Sequence, residues 1–375
     1  MEMQAREKGS RRGQRRDFLK SIALAGAGAA LGWPAPARGE PASTGQPKIK
    51  LGYDNFAIRA WGWKADRHLE YAASLKLDSM FFSDLQVFES FEEGYLKDLK
   101  RKAEDKGMQI HVGTWSICPT SRSFKNNYGT AEEHLGLGIR VAKSLGSPVI
   151  RVVLGSREDR KTEGGIEARI HDTVKVCRAL RSQAVDAGVK IAVENHAGDM
   201  QAWELVTLIE EAGKDYVGVN LDSGNAAWTI EDPVESLRIL GPYAATTSLR
   251  DSAIWETADG AKVAWTAMGD GTTDLQTYFK VFAELCPGVP VHIETISGFA
   301  VEFPYLKASF WDTFPKARAK DFAKFVALAK RGKEVALFKA PEGKDRKEAE
   351  KEYQKADLER SLRYCKETLG LGLKA

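Results

Sequence analysis

The sequence has 375 residues, of which 43% are hydrophobic and 29% are charged, values that are ordinary for a globular protein with a sizeable core. This length suits one large domain or two domains of average size. The formal net charge is +3, but the first 37 residues contain seven Lys and Arg against three Asp and Glu. Removing them from the 55 basic and 52 acidic residues leaves 48 and 49, so no basic excess indicates nucleic-acid binding.

The first 37 residues have the order of an export signal. Residues 15–20, RRDFLK, precede a small-residue apolar run at 21–33 and then Ala35-Pro36-Ala37, an A-x-A cleavage site. The paired arginines resemble a twin-arginine signal, which predicts a periplasmic or otherwise exported protein that uses the twin-arginine export machinery. The apolar run is too short for a spanning helix, so no stable membrane anchor is expected. The alternative is a disordered basic tail.

Short β-branched runs alternate with helical patterns after residue 47. Strands are predicted at residues 48–53, 79–82, 108–115, 148–153, 189–194, 216–222, 243–249 and 289–295. Helices are predicted at residues 64–75, 93–106, 130–145, 165–187, 202–212, 233–240, 274–285 and 321–330, the last closing the series. Eight repeats over about 250 residues favour an α/β (β/α)8 TIM barrel. A doubly wound sheet would need a GxGxxG motif after the first strand, which is absent.

The predicted domain order is a signal peptide at residues 1–37, a linker at 38–47, the barrel at 48–298 and a C-terminal extension at 299–375. The extension begins with an aromatic-rich stretch, residues 299–314, which is expected to pack over the barrel. Residues 344–369 are heavily charged but place four apolar residues on one helical face: Leu358, Leu362, Cys365 and Leu369. This pattern predicts an appended docking helix without a catalytic role.

Three acidic residues end three successive predicted strands of the second half: Glu194, Asp222 and Glu294. The carboxyl ends of the parallel strands lie at one end of a barrel, where catalytic groups are found. A carboxylate that leaves water needs a partner, so three in succession are hard to explain by packing. These acids therefore predict a functional site.

The segments around these acids resemble the sugar phosphate isomerase/epimerase family, the xylose isomerase-like TIM barrels. The matching segments are Glu194-Asn195-His196, Asp222-Ser223-Gly224-Asn225 with Glu231-Asp232-Pro233, Met268-Gly269-Asp270-Gly271 and Ile293-Glu294. The resemblance covers about residues 48–298 and implies a divalent metal held by Glu, Asp, His and Glu at the ends of strands five to eight. Glu194, Asp222 and Glu294 match these ligands. The usual His-x-Lys-Asp signature reads Ser248-Leu249-Arg250-Asp251, so the histidine ligand is absent there.

Three outcomes for the metal site follow. Mn²⁺ or Mg²⁺ accepts carboxylates and water, so the three acids with Ser248 or water suffice, and Zn²⁺ or Co²⁺ are further candidates. Alternatively, His196 substitutes as a ligand, because it lies two residues beyond Glu194 on the same side of the strand. His292 is expected deeper, as a core residue. Without a metal the carboxylates would repel one another, and at least one should have a raised pKa.

The resemblance implies aldose–ketose isomerisation or epimerisation, in which a proton moves on the carbon beside a carbonyl through an enediolate. Such chemistry needs a base and an acid, for which Glu194 and Glu294 are predicted, with Asp222 chiefly a ligand. Export favours a free or oxidised sugar, or a keto-sugar, over a sugar phosphate. The alternatives are a lyase or hydrolase of 3-keto sugars on the same carboxylates, and a non-catalytic sugar-binding barrel. The sequence leaves a homo-oligomer open.

Further residues near the predicted strand ends are candidate substrate contacts. Arg250 is predicted either to bind a substrate oxygen or to pair with Asp251, and His196 and Asn225 to bind hydroxyls. His111 is ambiguous between pocket and core. The tryptophans that follow strand ends favour a carbohydrate pocket: Trp61, Trp63, Trp115, Trp228 and Trp255. Three more histidines fall in predicted helices and are expected at the surface: His68, His134 and His171.

Overall fold

Eight parallel strands form a barrel in the computed structural model, which describes residues 48–374. In chain order the strands of the protein are β1 (Leu51–Asp54), β2 (Ser79–Phe82), β3 (Gln109–Ser116), β4 (Val149–Val153), β5 (Lys190–Glu194), β6 (Val217–Leu221), β7 (Ala244–Thr247), β8 (Asp251–Thr257), β9 (Gly260–Thr266), β10 (Val291–Ile293) and β11 (Ala300–Phe303). Strands β1 to β7 pair in chain order, and β10 pairs with β1. The signal peptide and linker predicted for residues 1–47 lie outside the described residues.

The ring closes just beyond β7. Leu249 forms a parallel bridge with Ile293 of β10. The Leu249 N–H donates to the His292 carbonyl at 2.7 Å, and the Glu294 N–H donates to the Leu249 carbonyl at 2.9 Å. The predicted (β/α)8 barrel is therefore confirmed, with the carboxyl ends of all eight strands at one face.

Helices alternate with the barrel strands along the chain, and most predicted bounds agree within two residues. They are α1 (Ala65–Ser74), α2 (Glu93–Asp105), α3 (Ala131–Leu145), α4 (Gly165–Ala179), α5 (Arg181–Ala187), α6 (Ala202–Ala212), α7 (Ser223–Trp228), α8 (Pro233–Leu240), α9 (Leu275–Leu285), α10 (Ala319–Arg331) and α11 (Arg346–Glu367). The predicted helix at 165–187 is two helices, because Leu180 leaves helical geometry at ψ 9°. No helix in the described part of the chain is both long and apolar enough to cross a membrane.

A β-hairpin between β7 and α9 was not predicted from the sequence. Strands β8 and β9 pair antiparallel, and β9 also pairs with β11, which gives a separate three-stranded sheet. The turn contains Asp259-Gly260, with Gly260 at φ +155°, a conformation that favours glycine. An Asp-Gly pair between alternating apolar residues is a strong hairpin signal that the sequence reading missed.

The aromatic-rich stretch and α10 pack on this sheet. Phe303, Phe310 and Phe325 form a hydrophobic cluster with Ile254 of β8 and with Ile230, which lies beyond β6. The stretch thus covers both the hairpin and part of the barrel. The prediction that the helix at 321–330 closes the barrel is wrong, because its apolar face is used by the hairpin sheet.

The helix that completes the barrel is α11. Its Leu358, Leu362 and Cys365 are buried in the main hydrophobic cluster with the barrel strands, and it contacts β10. The Gln354 side chain accepts the Ala60 N–H at 2.9 Å. The predicted docking helix is present: its apolar face packs on the barrel, and most of its charged residues face solvent, although Asp357 is buried.

Candidate functional site

Buried carboxylates meet at the carboxyl end of the barrel. Glu194 is the last residue of β5, Asp222 follows β6 and caps α7, and Glu294 follows β10. One oxygen from each of these three lies within 4.8 Å of the other two. Asp54, at the end of β1, is a fourth buried acid. It obeys the same strand-end pattern, but the predicted first strand stopped one residue before it.

Arg250 pairs with two of these acids. Its Nη2 donates to the carboxylates of both Asp222 and Glu294, and its side chain is only 2% exposed. The guanidinium lies 4.4 Å from the centroid of the Trp265 ring. Gly224 makes room for the side chain, since a Cβ there would lie 2.7 Å from Arg250 Cδ. The Arg250 guanidinium is therefore closely packed inside the acid cluster.

Asp251, the other partner considered for Arg250, is engaged elsewhere. Its Oδ2 accepts the N–H groups of Gly269 at 3.2 Å and Gly271 at 2.9 Å, and its Oδ1 accepts the Ser252 N–H at 2.7 Å. A Cβ at Gly271 would lie 2.6 Å from the Ser252 carbonyl oxygen. The Met268–Gly271 motif, in the turn before α9, therefore binds Asp251 at the start of β8, and the structure does not pair Asp251 with Arg250.

Arg151, in the middle of β4, is the partner of Glu194 and was missed by sequence reasoning. Its Nε donates to Glu194 Oε2 at 2.5 Å. The amides of Asn220 and Asn225 also donate to Glu194, at 2.7 and 3.2 Å. The available signal was a charged residue inside the apolar run Val149–Val153, because a guanidinium inside a barrel requires a carboxylate partner.

Ser248, at the place of the family's histidine ligand, connects two parts of the site. Its Oγ donates to Asp54 Oδ2 at 3.2 Å and accepts from Asn220 Nδ2 at 3.2 Å. Asp54 also accepts from the Ser83 hydroxyl at 2.5 Å. The Ser248 hydroxyl therefore joins Asp54 to the amide that holds Glu194.

Burial and neighbouring charges move the pKa values of these acids in opposite directions. Burial alone would raise the pKa of Glu194, but the adjacent Arg151 brings it below its ordinary value. Burial, with the Glu194 charge, raises the pKa of Asp222 to about 7. Burial, with the charges of the neighbouring acids, also raises the pKa of Glu294 well above its ordinary value, although Arg250 opposes the shift. Arg151 therefore favours the ionised form of Glu194, and burial favours the protonated form of Glu294.

Glu194 and Glu294 line a cavity of about 320 Å³, here named the reaction cavity, whereas Asp54 and Asp222 lie outside its lining. Six predicted residues line it: Trp115, Glu194, His196, Asn225, Arg250 and Glu294. Sequence reasoning missed the other eight: Phe56, Arg59, Ser83, Asp84, Arg151, Trp265, Ile296 and Phe299. Phe56 and Phe299 are 37% and 38% exposed. Aromatic walls around a few polar groups are typical of a small-molecule site.

His196 presents one free nitrogen to this cavity. Its Nδ1 lies 2.6 Å from the Gly155 carbonyl oxygen and so carries the proton. Burial lowers the pKa of His196, so the ring is neutral and Nε2 is an acceptor. The ring meets Trp115 edge to face at 5.3 Å. His196 is not among the side chains whose ligand atoms meet within 4.8 Å, which are the three acids.

Five predicted substrate contacts lie outside the lining of the reaction cavity: Trp61, Trp63, Trp228, Trp255 and His111. The Trp61 indole donates to a carbonyl of α11 at 3.0 Å and belongs to that helix contact. Trp228 stacks on Trp265 at 4.2 Å, so it supports the cavity wall from behind. His111 is 1% exposed in the barrel interior, with Nδ1 2.9 Å from Thr246 Oγ1. Position after a strand does not determine which way these rings turn.

Two helical histidines are buried, so their predicted surface placement is wrong. His68 Nδ1 lies 2.9 Å from the Tyr53 hydroxyl, and His134 Nε2 lies 2.5 Å from Thr114 Oγ1. Each sits on the helix face that covers a barrel strand. His171 is exposed, as predicted.

The acid cluster fits a divalent cation in donor chemistry and in charge. Carboxylate oxygens are preferred ligands of Mg²⁺ and Mn²⁺, and the three that meet within 4.8 Å could hold a metal ion. Four buried carboxyl groups face two buried guanidinium groups, an excess of acid that a dication or protons would neutralise. Arg250 competes with such an ion, because its guanidinium already contacts two of the three ligands.

Metal binding is expected to release protons and to strengthen with pH. The pKa of Asp222 rises from 3.8 to about 7, so its proton stabilises the folded, metal-free protein at low pH and this contribution is lost as pH rises through 7. A cation must displace such protons. The rise in melting temperature caused by Mn²⁺ should therefore be larger near pH ~8 than near pH ~6. Calorimetric titration with Mn²⁺ in buffers of different ionisation enthalpy counts the released protons, and none released near pH ~6 would contradict this.

Solved structures resemble this protein at low sequence identity. A D-psicose 3-epimerase solved in the presence of D-fructose is 15% identical, covering 86% of this chain and 100% of its own at a TM-score of 0.55. The IOLI protein with a bound zinc atom is 16% identical, covering 76% and 100%, with a TM-score of 0.53. A xylose isomerase-like TIM barrel protein from Mycobacterium smegmatis, in complex with magnesium, is 14% identical, covering 75% and 96%, with a TM-score of 0.50. These similarities establish the fold alone.

Family membership is decided by the sequence comparison. No curated protein matches the chain. The sequence model of the family described as xylose isomerase-like TIM barrels matches residues 69–298, which is more than half of the chain. The matched stretch runs from α1 to just beyond β10 and contains Glu194, Asp222 and Glu294. The chain therefore belongs to the xylose isomerase-like TIM barrel family.

Proposed function

We propose that this protein is an exported enzyme that isomerises or epimerises a free or oxidised sugar. The observation that carries the proposal is the pair Glu194 and Glu294, which line one cavity with pKa values shifted in opposite directions. Moving a proton at the carbon beside a carbonyl needs one ionised and one protonated group. The fold similarity to a D-psicose 3-epimerase supports the substrate class.

Glu194 is the base in this mechanism, and Glu294 is the acid. Arg151 and Asn220 donate to Oε2 of Glu194, which leaves Oε1, contacted by Asn225 at 3.2 Å, for the substrate proton. Arg151 is a positioning residue, because it keeps Glu194 ionised and fixes its orientation. Glu294 would return a proton to the substrate carbon when it is in its protonated form, which burial favours, and it is not an ionised metal ligand at that point.

Arg250 stabilises the oxygen on which negative charge develops. It lines the reaction cavity, and its Nε and Nη1 have no hydrogen-bond partner among residues 48–374. Buried donors without partners cost free energy unless a ligand uses them. A substrate carbonyl oxygen would accept from them and receive more stabilisation as the enediolate forms.

Glu194, Asp222 and Glu294 would hold a divalent cation, for which we propose Mn²⁺ or Mg²⁺, with Zn²⁺ or Co²⁺ as alternatives. When bound, such an ion would polarise the substrate carbonyl as a Lewis acid. The zinc and magnesium in two proteins of similar fold support this proposal.

The charges of the cavity favour an uncharged sugar. Arg151 and Arg250 are paired with carboxylates, and the lining contains one further arginine, Arg59, and one further acid, Asp84. No cluster of free positive charge is left there to bind a phosphate among the described residues. Export, proposed from the twin-arginine pattern of residues 1–37, agrees with this, because sugar phosphates are largely cytoplasmic.

Deuterium exchange tests the proposed function. Ketohexoses, ketopentoses and 3-keto sugars are incubated in D₂O with the protein and Mn²⁺, and the carbon-bound hydrogens beside the carbonyl are followed by NMR. We expect exchange, with formation of an isomer or epimer, for at least one sugar. Cleavage or loss of a substituent would favour the lyase or hydrolase alternative. Binding without exchange across the panel would favour a non-catalytic sugar-binding barrel.

A further inference from the structure

A second cavity, of about 330 Å³, adjoins the reaction cavity and is here named the outer cavity. The two cavities share Phe56, Asp84 and Trp115 in their linings, so they form one continuous groove. None of the four buried acids lines the outer cavity. Small-molecule sites begin at roughly 300 Å³, so the reaction cavity alone can hold one sugar ring. The proposed reaction therefore leaves the outer cavity without a role.

The lining of the outer cavity combines aromatic faces with neutral polar groups. Its own residues are Gln86, Thr114, Lys125, Asn127, Tyr128 and His134. Tyr128 is half-buried, and Phe56, at the junction, is exposed. Trp115 is held at the junction because its indole donates to the Ser123 carbonyl at 2.8 Å. Fixed rings beside hydrogen-bonding groups suit a ligand with both C–H faces and hydroxyls.

The charge of the outer cavity favours a neutral ligand. Asp84 and Lys125 are the charged residues of its lining, one of each sign. Asp84 already accepts the Gln86 N–H at 2.7 Å. The lining has no arginine of the kind that binds phosphate or carboxylate through two parallel hydrogen bonds.

His134 adds a hydrogen-bonding group that the protein leaves incomplete. It is 2% exposed, its Nε2 lies 2.5 Å from Thr114 Oγ1, and its Nδ1 has no partner among residues 48–374. Burial lowers the pKa of His134, so the ring is neutral. The Tyr128 ring lies 5.0 Å from it. A buried polar atom without a partner calls for an explanation, and His134 borders the outer cavity.

We infer that the outer cavity is a second sugar-binding subsite, and that the substrate is a disaccharide or another neutral glycoside. One ring occupies the reaction cavity, and the second ring lies against Tyr128 with its linkage passing Trp115 and Phe56. The identity of the reacting ring rests on the proposed function. Binding of the second ring does not, because none of the four buried acids lines the outer cavity.

Tyr128→Ala tests this inference, because Tyr128 lines the outer cavity and not the reaction cavity. Calorimetry would measure binding of cellobiose, maltose and lactose against D-glucose and D-galactose. We expect at least one disaccharide to bind wild type about tenfold more tightly than its monosaccharides. Tyr128→Ala should remove this advantage and leave monosaccharide affinity within about twofold.

Tyr243→Ala is the matched control. Tyr243 is also half-buried, donates to Glu210 at 2.6 Å and lines neither cavity. The Tyr243→Ala variant should bind all five sugars with the affinities of wild type. Equal affinity for disaccharides and monosaccharides, equal weakening of both by Tyr128→Ala, or no binding of any disaccharide would overturn the inference. Disaccharide binding without deuterium exchange would instead contradict the proposed function and leave the second subsite standing.

Discussion

Glu194→Gln is expected to slow deuterium exchange by about 10²–10⁴-fold, the usual contribution of a general base. The amide has nearly the same shape as the carboxylate but cannot take a proton. Arg151 holds the pKa of Glu194 below its ordinary value, so wild type has the base ionised at neutral pH. The measurement is the exchange rate of the active sugar under saturating Mn²⁺, so that a weakened metal ligand does not limit it.

Glu231→Gln is the matched control for that variant. Glu231 is another buried acid, accepts the Ala202 N–H at 3.0 Å and is absent from the cavity lining. Burial raises its pKa to about 8, so a neutral amide resembles its dominant form. The Glu231→Gln variant should have the melting temperature and the deuterium exchange rate of wild type. An exchange rate of Glu194→Gln within about tenfold of wild type would exclude Glu194 as the base.

Arg250→Met is expected to have opposite effects on the reaction and on metal binding. The loss of the unpartnered donors should lower the exchange rate by about 10²–10³-fold. The loss of the Arg250 guanidinium frees Asp222 and Glu294 to bind metal. The affinity for Mn²⁺ should therefore rise at least ~10-fold, which corresponds to about 1.4 kcal/mol. Without metal the variant should be about 3–5 kcal/mol less stable, because buried acids lose their partner. Calorimetry and urea unfolding, with Mn²⁺ or EDTA, measure these changes.

Arg160→Met separates competition with metal from general damage. Arg160 is equally buried and pairs with Glu204 through two hydrogen bonds of 2.7 and 2.9 Å, away from the acid cluster. Arg160→Met should lower the free energy of unfolding about as much as Arg250→Met does, and it should leave the affinity for Mn²⁺ unchanged. If Arg250→Met binds Mn²⁺ no more tightly than wild type does, Arg250 is not a competitor for the metal ligands.

Much of the fold and part of the site follow from local patterns. Each barrel strand is a short apolar run, so strand bounds were predicted within a few residues, and the acids at strand ends predicted where catalytic groups gather. The same rule would also place Asp54 in the site if the predicted first strand were one residue longer. The hairpin lies outside the predicted elements, although its Asp259-Gly260 pair is a local hairpin signal.

The identity of the eighth helix required the tertiary structure. Both α10 and α11 have apolar faces, and the sequence does not say which face meets the barrel. The Phe325 face of α10 joins the hairpin cluster, whereas the Leu358 face of α11 joins the main core. Such a choice depends on which surfaces are left uncovered once the other elements have packed.

The sequence by itself determined the barrel, the family and three acids at one end of it, because these depend on short-range periodicity and on the common direction of parallel strands. The partners of those acids depend on how distant segments pack together. Arg250 and Glu294 are 44 residues apart, and Arg151 and Glu194 are 43 apart. The roles of base and acid depend on burial and through-space charge, which distant segments supply together. The outer cavity is likewise formed by residues from five separate segments of the chain, so no local pattern predicts it.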